Sequence, residues 1–228
     1  MGQLKMTSTS PPRVVAISGV VFSALFIASL ILVRIAVPAN PAEPGAWLTD
    51  DTLRSWVRLA LKLVPFTGIA FLWFMAVLRN RIGLLEDRFF ATVFLGSGLL
   101  FVAMLFAAAA VTQGLLDTFA TLNKNSLPRE TYTVGRSMTY ALMNTFAMKM
   151  AAVFMFVTSS IGLRTAIFSR WVSLVGFVGG LTLLLVITDF AWIALVFPAW
   201  VLLVSTYILV MDFRRGGRIP GSDITTAE

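Results

Sequence analysis

The chain has 228 residues, of which 58% are hydrophobic and only 13% charged, with a formal net charge of +7. A soluble domain carries about a quarter charged residues, so this composition reads as a membrane protein before any segment is considered. Cysteine and histidine are both absent, which excludes disulfides, thiol redox chemistry, zinc on Cys or His, haem on histidine and a Ser-His-Asp relay.

The positive balance is assigned to basic loops beside membrane spans rather than to nucleic acid. Residues 1–12 are polar, with Pro11-Pro12, and read as a disordered tail. The first apolar run covers about 14–37. Its length exceeds the ~7–15 residues of a signal-peptide core, so a retained span is preferred over a cleaved leader. Arg34 near its outer end can snorkel to the headgroups. A proline-rich loop follows, and Thr49 or Asp50 caps the next helix. Residues 50–64 carry Arg54, Arg58 and Lys62 opposite an apolar stripe. That pattern suits either a surface helix in the outer headgroup layer or the first turns of the second span.

The second span is placed at about 64–78, with Pro65 as a kink or a first-turn proline. The third, at about 89–111, is rich in small residues, including Gly96. Its helical period persists through Leu115, Leu116, Phe119 and Leu122, which suits either a helix continuing past the membrane or a segment on its surface. A polar loop, 122–136, leads to the fourth span at about 136–161. The fifth, at about 171–187, holds Gly176 and Gly180 at the spacing of close helix contacts. Thr188-Asp189 reads as a tight hairpin before the sixth span, about 191–210, which Pro198 is expected to bend. Residues 213–228 form a flexible tail with Arg214, Arg215 and Arg218, suited to anionic lipid or to fixing orientation.

The fold class expected is therefore all-α: a polytopic bundle of six transmembrane helices with both termini cytoplasmic. The termini are put inside because nearly every short inner segment is then basic. The expected location is the cell membrane, most naturally a bacterial inner membrane, as a multi-pass protein.

Lys149 is the one ionisable side chain read at mid-membrane. A charge at that depth is costly and faces protein or water by default, so it carries a functional hypothesis. At helical spacing Lys149 shares a broad face with Thr145 and Ser160, with Asn144 and Ser159 further round and Tyr140 about two and a half turns earlier. These residues are the candidate ligand site or pathway. Gly96, Gly176 and Gly180 are candidate helix-packing positions. The methionines concentrated in the fourth span suit adaptable packing better than a metal site, and neither a metal nor a cofactor is expected.

The leading functional expectation is non-enzymatic binding of a lipid or small amphiphile, or of a partner subunit or second copy, around the fourth span. A small transporter with Lys149 on its pathway is the alternative. An enzyme ranks third, since it would depend on Asp117, Glu130 and Asp189 converging on the outer side. The layout looks like that of many small bacterial multi-span proteins, an architecture that by itself licenses no function.

Overall fold

A computed structural model describes residues 12–37, 45–82, 88–122, 127–165, 168–185 and 192–216. The helices are α1 (Pro12–Ala36), α2 (Asp51–Ile82), α3 (Arg88–Thr121), α4 (Arg129–Tyr140), α5 (Met148–Thr165), α6 (Arg170–Leu185) and α7 (Val196–Gly216). A π-helical segment, Ala141–Ala147, joins α4 to α5, so that Arg129–Thr165 runs as one rod. No strand occurs among the described residues. An all-helical chain is what lipid demands, because backbone groups in hydrocarbon must be satisfied within their own segment. Five helices are long and apolar enough to cross a membrane, and α6 is a shorter apolar helix.

The helices alternate in direction. Phe22 of α1 packs on Phe71 of α2 and Phe197 of α7, while three residues earlier Gly19 faces Phe74 and Ser205, at higher numbers on the same partners. Both described ends of the chain therefore lie at one end of the bundle, here called the terminal end. The other is the cap end.

Phenylalanine fills the centre. Phe71 meets the rings of Phe22, Phe101, Phe154, Phe197 and Phe74 at centroid distances of 4.8, 5.2, 5.2, 5.6 and 6.2 Å. These rings come from α1, α2, α3, α5 and α7, and all are buried. Tilted and edge-on ring pairs at such spacings are favourable beyond their area. Because α1 supplies Phe22 and Phe26 to this cluster, it is an integral member of the bundle. Outward faces carry large exposed apolar side chains such as Phe66, Trp73, Val178 and Leu185, an apolar surface that suits lipid contact.

A second, smaller core sits at the cap end: Ala36, Trp47, Leu48, Val57, Leu116, Phe119 and Tyr132. At about 1.5 Å per residue, α2, α3 and the α4–α5 rod run about 48, 51 and 55 Å, against about 30 Å of hydrocarbon. Their cap-end turns make this second core. Asp50 caps α2, its Oδ1 accepting from the backbone N–H groups of Thr52 (2.7 Å) and Leu53 (3.1 Å). Arg54 is buried, donates to the Leu48 carbonyl, pairs with Asp51 and stands 5.5 Å over the Phe119 ring.

Several sequence expectations are corrected here. Of the two readings left open for residues 51–64, the structure has the first turns of the second long helix, α2, because Arg54, Val57, Ala60 and Val64 face the bundle. Pro65 is not a first-turn proline, because it lies in the interior of α2, fourteen residues after Asp51. The third helix continues past 111 to Thr121, with Leu115, Leu116 and Phe119 buried. The fourth begins at Arg129 rather than 136, since Tyr132 and Gly135 already pack inward. Pro198 falls in the first turn of α7, after a 3₁₀ turn at Ile193–Leu195, where its missing N–H breaks no helical bond. The 188–189 hairpin, the 1–11 part of the N-terminal tail and Arg218 lie outside the described residues. Arg214 and Arg215 fall in the last turn of α7.

Candidate functional site

A partly open cavity of about 190 Å³ lies at the cap end, walled by α1, α2, α3, α4, the π segment and the turn before α7. One ordered water needs only about 10–15 Å³ of such space, so the cavity suits a larger guest. Its walls are mostly apolar: Phe26, Leu30, Val33, Val57, Val64, Leu105, Ala108 and Met143 among others. Its polar groups are Ser29, Arg34, Thr112, Tyr132, Arg136, Thr139, Tyr140 and Asn144, with Trp47 and Trp192 beside them.

Local sequence explains each placement. On α1 the lining residues Phe26, Ser29, Leu30, Val33, Arg34 and Val37 recur every three or four positions, one helical face. Arg34 lies eight residues, about 12 Å, closer to the cap end than Phe26. On α4, Tyr132 and Arg136 are one turn apart, so the guanidinium donates to the phenolic oxygen at 3.5 Å and stacks 6.0 Å over the ring. Trp47 Nε1 donates to the same oxygen at 3.0 Å. Gly45 brings the loop there: its φ of +91° is a left-handed conformation, and an added Cβ would stand 3.1 Å from the Tyr132 ring. Thr112 and Thr139 bridge α3 and α4 at 3.2 Å.

The cavity is polarised along its length. Arg34, Trp47, Tyr132 and Arg136 stand toward the cap. Phe26, Val64 and Leu105 form the far end, and Met143 lies seven residues, about 10 Å, deeper than Arg136. Among the described residues no Asp or Glu lines it, and the charged side chains that do are Arg34 and Arg136.

The sequence-derived candidates divide. Tyr140 and Asn144 stand together in the cavity wall. Thr145 is half-buried outside it, and Lys149 is exposed on the outer face of α5, in line with Val153, Phe156, Ser160 and Leu163. The face read for Lys149, Thr145 and Ser160, with Asn144 further round, assumed unbroken α periodicity. A π turn takes one extra residue into each hydrogen-bonded ring, which rotates the facing of every residue C-terminal to it. Asn144 then looks into the cavity, Ala147, Met148, Ala151 and Ala152 into the core, and Lys149 outward.

Gly96 meets nothing within 4 Å at its Cβ position, so it makes no close helix contact; Gly98, two residues on, packs on Met75 and Phe154. Gly176 packs on Ser159 and Trp200, and Gly180 on Ala152 and Phe156. Ser159, Ser173 and Trp200 are buried there with side-chain polar atoms that have no partner among the described residues. Most other span hydroxyls donate to the carbonyl four residues back, as Ser23, Thr67, Ser97 and Ser160 do.

Two of the acidic candidates, Asp117 and Glu130, do not line the cavity. Asp117 is exposed and accepts from Gln113 at 2.9 Å, Glu130 is exposed in the first turn of α4, and Asp189 lies outside the described residues. No group of three potential metal-ligating His, Cys, Asp or Glu residues occurs among the described residues.

Sequence reasoning missed the partnership of Arg136 with Tyr132 and the inward facing of Arg34. An Arg and a Tyr one helical turn apart, and an arginine on the face of Phe26 and Leu30, were the legible signals. Comparison with known proteins adds no relative: no family model, no curated protein and no solved structure matches this chain.

Proposed function

We propose that this protein crosses the cytoplasmic membrane six times with its termini inside and binds a lipid or small amphiphile in the cap-end cavity beside the fourth crossing. The observation that carries the binding reading is the cavity itself, with mostly apolar walls, both of its arginines toward the cap end and Asn144 as a polar group at depth. Shorter basic segments support the orientation: Arg79, Arg88, Arg164 and Arg170 cluster at the terminal end of α2, α3, α5 and α6, the arrangement of cytoplasmic loops. The cap then lies on the outer side, and an amphiphile enters from the outer leaflet or the space beyond it. On this reading Lys149 is a surface lysine. It stands about five residues, or 7.5 Å, nearer the cap than Phe154, within a side chain's reach of the outer headgroups.

The test uses the full chain in neutral-lipid nanodiscs and a fatty alcohol with a bromine at its chain end. Bromine quenches nearby indoles, and Trp47 and Trp192 both line the cavity. Saturable quenching is expected, weakened in Ala109→Phe, which fills the cavity wall, provided that variant keeps its thermal transition. Quenching that rises only in proportion to the probe, or that is unchanged by Ala109→Phe, overturns the reading.

A further inference from the structure

Resting on that reading, we infer that the guest carries a group with a hydrogen-bond donor and an acceptor side by side, in its simplest form a carboxamide, which pairs with the side chain of Asn144. Asn144 sits at the middle of the π segment Ala141–Ala147 and lines the cavity. Its side chain is half-buried and makes no hydrogen bond within the described residues. A carboxamide brings two N–H donors and an oxygen with two lone pairs. Withdrawing such a group from water without partners is costly. A guest of matching chemistry removes that cost, because one edge of Asn144 can donate and accept at once.

The neighbouring polar groups are committed elsewhere. Thr112 Oγ1 donates to the Ala108 carbonyl at 2.9 Å, so in its 3.2 Å bond with Thr139 the donor is Thr139. The Ser29 hydroxyl is turned onto the Leu25 carbonyl at 2.9 Å. Tyr132, Arg136 and Tyr140 already have partners within the protein. Arg34 lies toward the cap and offers donors only. Asn144 is therefore the side chain in the wall that presents an open donor and an open acceptor together, among the described residues. Leu105, Ala108, Ala109 and Met143 make the surrounding wall apolar. A mostly apolar wall with one well-placed polar group is how a small-molecule site fixes the orientation of its ligand. The π turn is what aims this amide inward, and such turns recur at functional sites.

The experiment compares two uncharged probes of equal chain length in neutral-lipid nanodiscs: a fatty primary amide and the methyl ester of the same acid, each with bromine at its chain end. The ester accepts hydrogen bonds but cannot donate. Tryptophan quenching gives both affinities in the full chain and in Asn144→Leu, which keeps the side chain's size and removes its polar atoms. Partition of each probe into the bilayer is common to both proteins and cancels. The amide-to-ester affinity ratio should be about tenfold higher in the natural chain than in Asn144→Leu, the scale of one or two net hydrogen bonds. The same ratio in both proteins overturns the pairing and leaves amphiphile binding standing. If the amide, the ester and the fatty alcohol all fail to quench saturably, the amphiphile reading itself falls. Acetamide that displaces the fatty amide at matched concentration shows a site for a small free amide, and the lipid-like guest is then wrong. Since the Asn144 amide has no partner to lose, Asn144→Leu should keep the thermal transition of the natural chain. A variant that unfolds, or melts well below it, shows a structural bond at Asn144 and overturns its assignment to the guest.

Discussion

Trp47 donates its indole N–H to the phenolic oxygen of Tyr132 at 3.0 Å, across 85 residues of chain. Both side chains are buried, and both line the cap-end cavity. One hydrogen bond therefore ties the loop before α2 to the first turn of α4 and fixes the rim of the proposed site.

Tyr132→Phe keeps the ring and removes that acceptor. It leaves the buried Trp47 N–H without its partner, at an expected cost of about 1–3 kcal/mol. Thermal unfolding of the purified protein reads the loss. A cycle with Trp47→Phe should show the two changes to be non-additive, since the second removes the orphan that the first creates.

Phe71 stands where five helices converge. Phe71→Ala should cost about 3–5 kcal/mol, because the surrounding rings cannot collapse into the space. Denaturation in a mild detergent checks this, and Phe66→Ala on the exposed face of the same helix serves as comparison. Phe66 is 61% exposed, so its loss should barely move the transition.

Two glycines should respond oppositely to alanine. At Gly176 a Cβ would stand 2.7 Å from Trp200 Nε1 and closer still to Ser159 Oγ. Gly176→Ala should destabilise by about 1–3 kcal/mol through overpacking. At Gly96 nothing lies within 4 Å. Gly96→Ala should be neutral or stabilise by about 0.5–1 kcal/mol, since helical alanine loses less backbone entropy than glycine. Midpoint shifts of the same sign in the two variants would contradict the packing described.

Lys149→Met tests the outward lysine. Amphiphile affinity should stay unchanged and stability should move by no more than about 0.5 kcal/mol, as for surface positions without special contacts. The quenching titration and a melting curve suffice to check both. A large loss of binding in a folded Lys149→Met variant would return the site to the lysine-centred face that helical spacing alone suggests.

Composition and hydropathy alone pointed to a helical chain with segments apolar enough for a membrane. They also located six apolar segments, because a lipid-crossing helix must be long and nearly free of charge wherever it packs. The same signal left open whether the apolar periods at 50–64 and beyond 111 belong to the long helices: that α2, α3 and the α4–α5 rod extend into a cap follows from the packing of Trp47, Phe119 and Tyr132.

Facing was decided by tertiary structure. A 3.6-residue count puts Lys149 in the interior, and the π segment interrupts that count. Phe71 emerged as the centre only once five helices were laid against it. A periodicity reports neighbours along one helix, whereas the cavity is set by side chains from several helices meeting. That meeting depends on register between segments far apart in the chain, which no local pattern encodes.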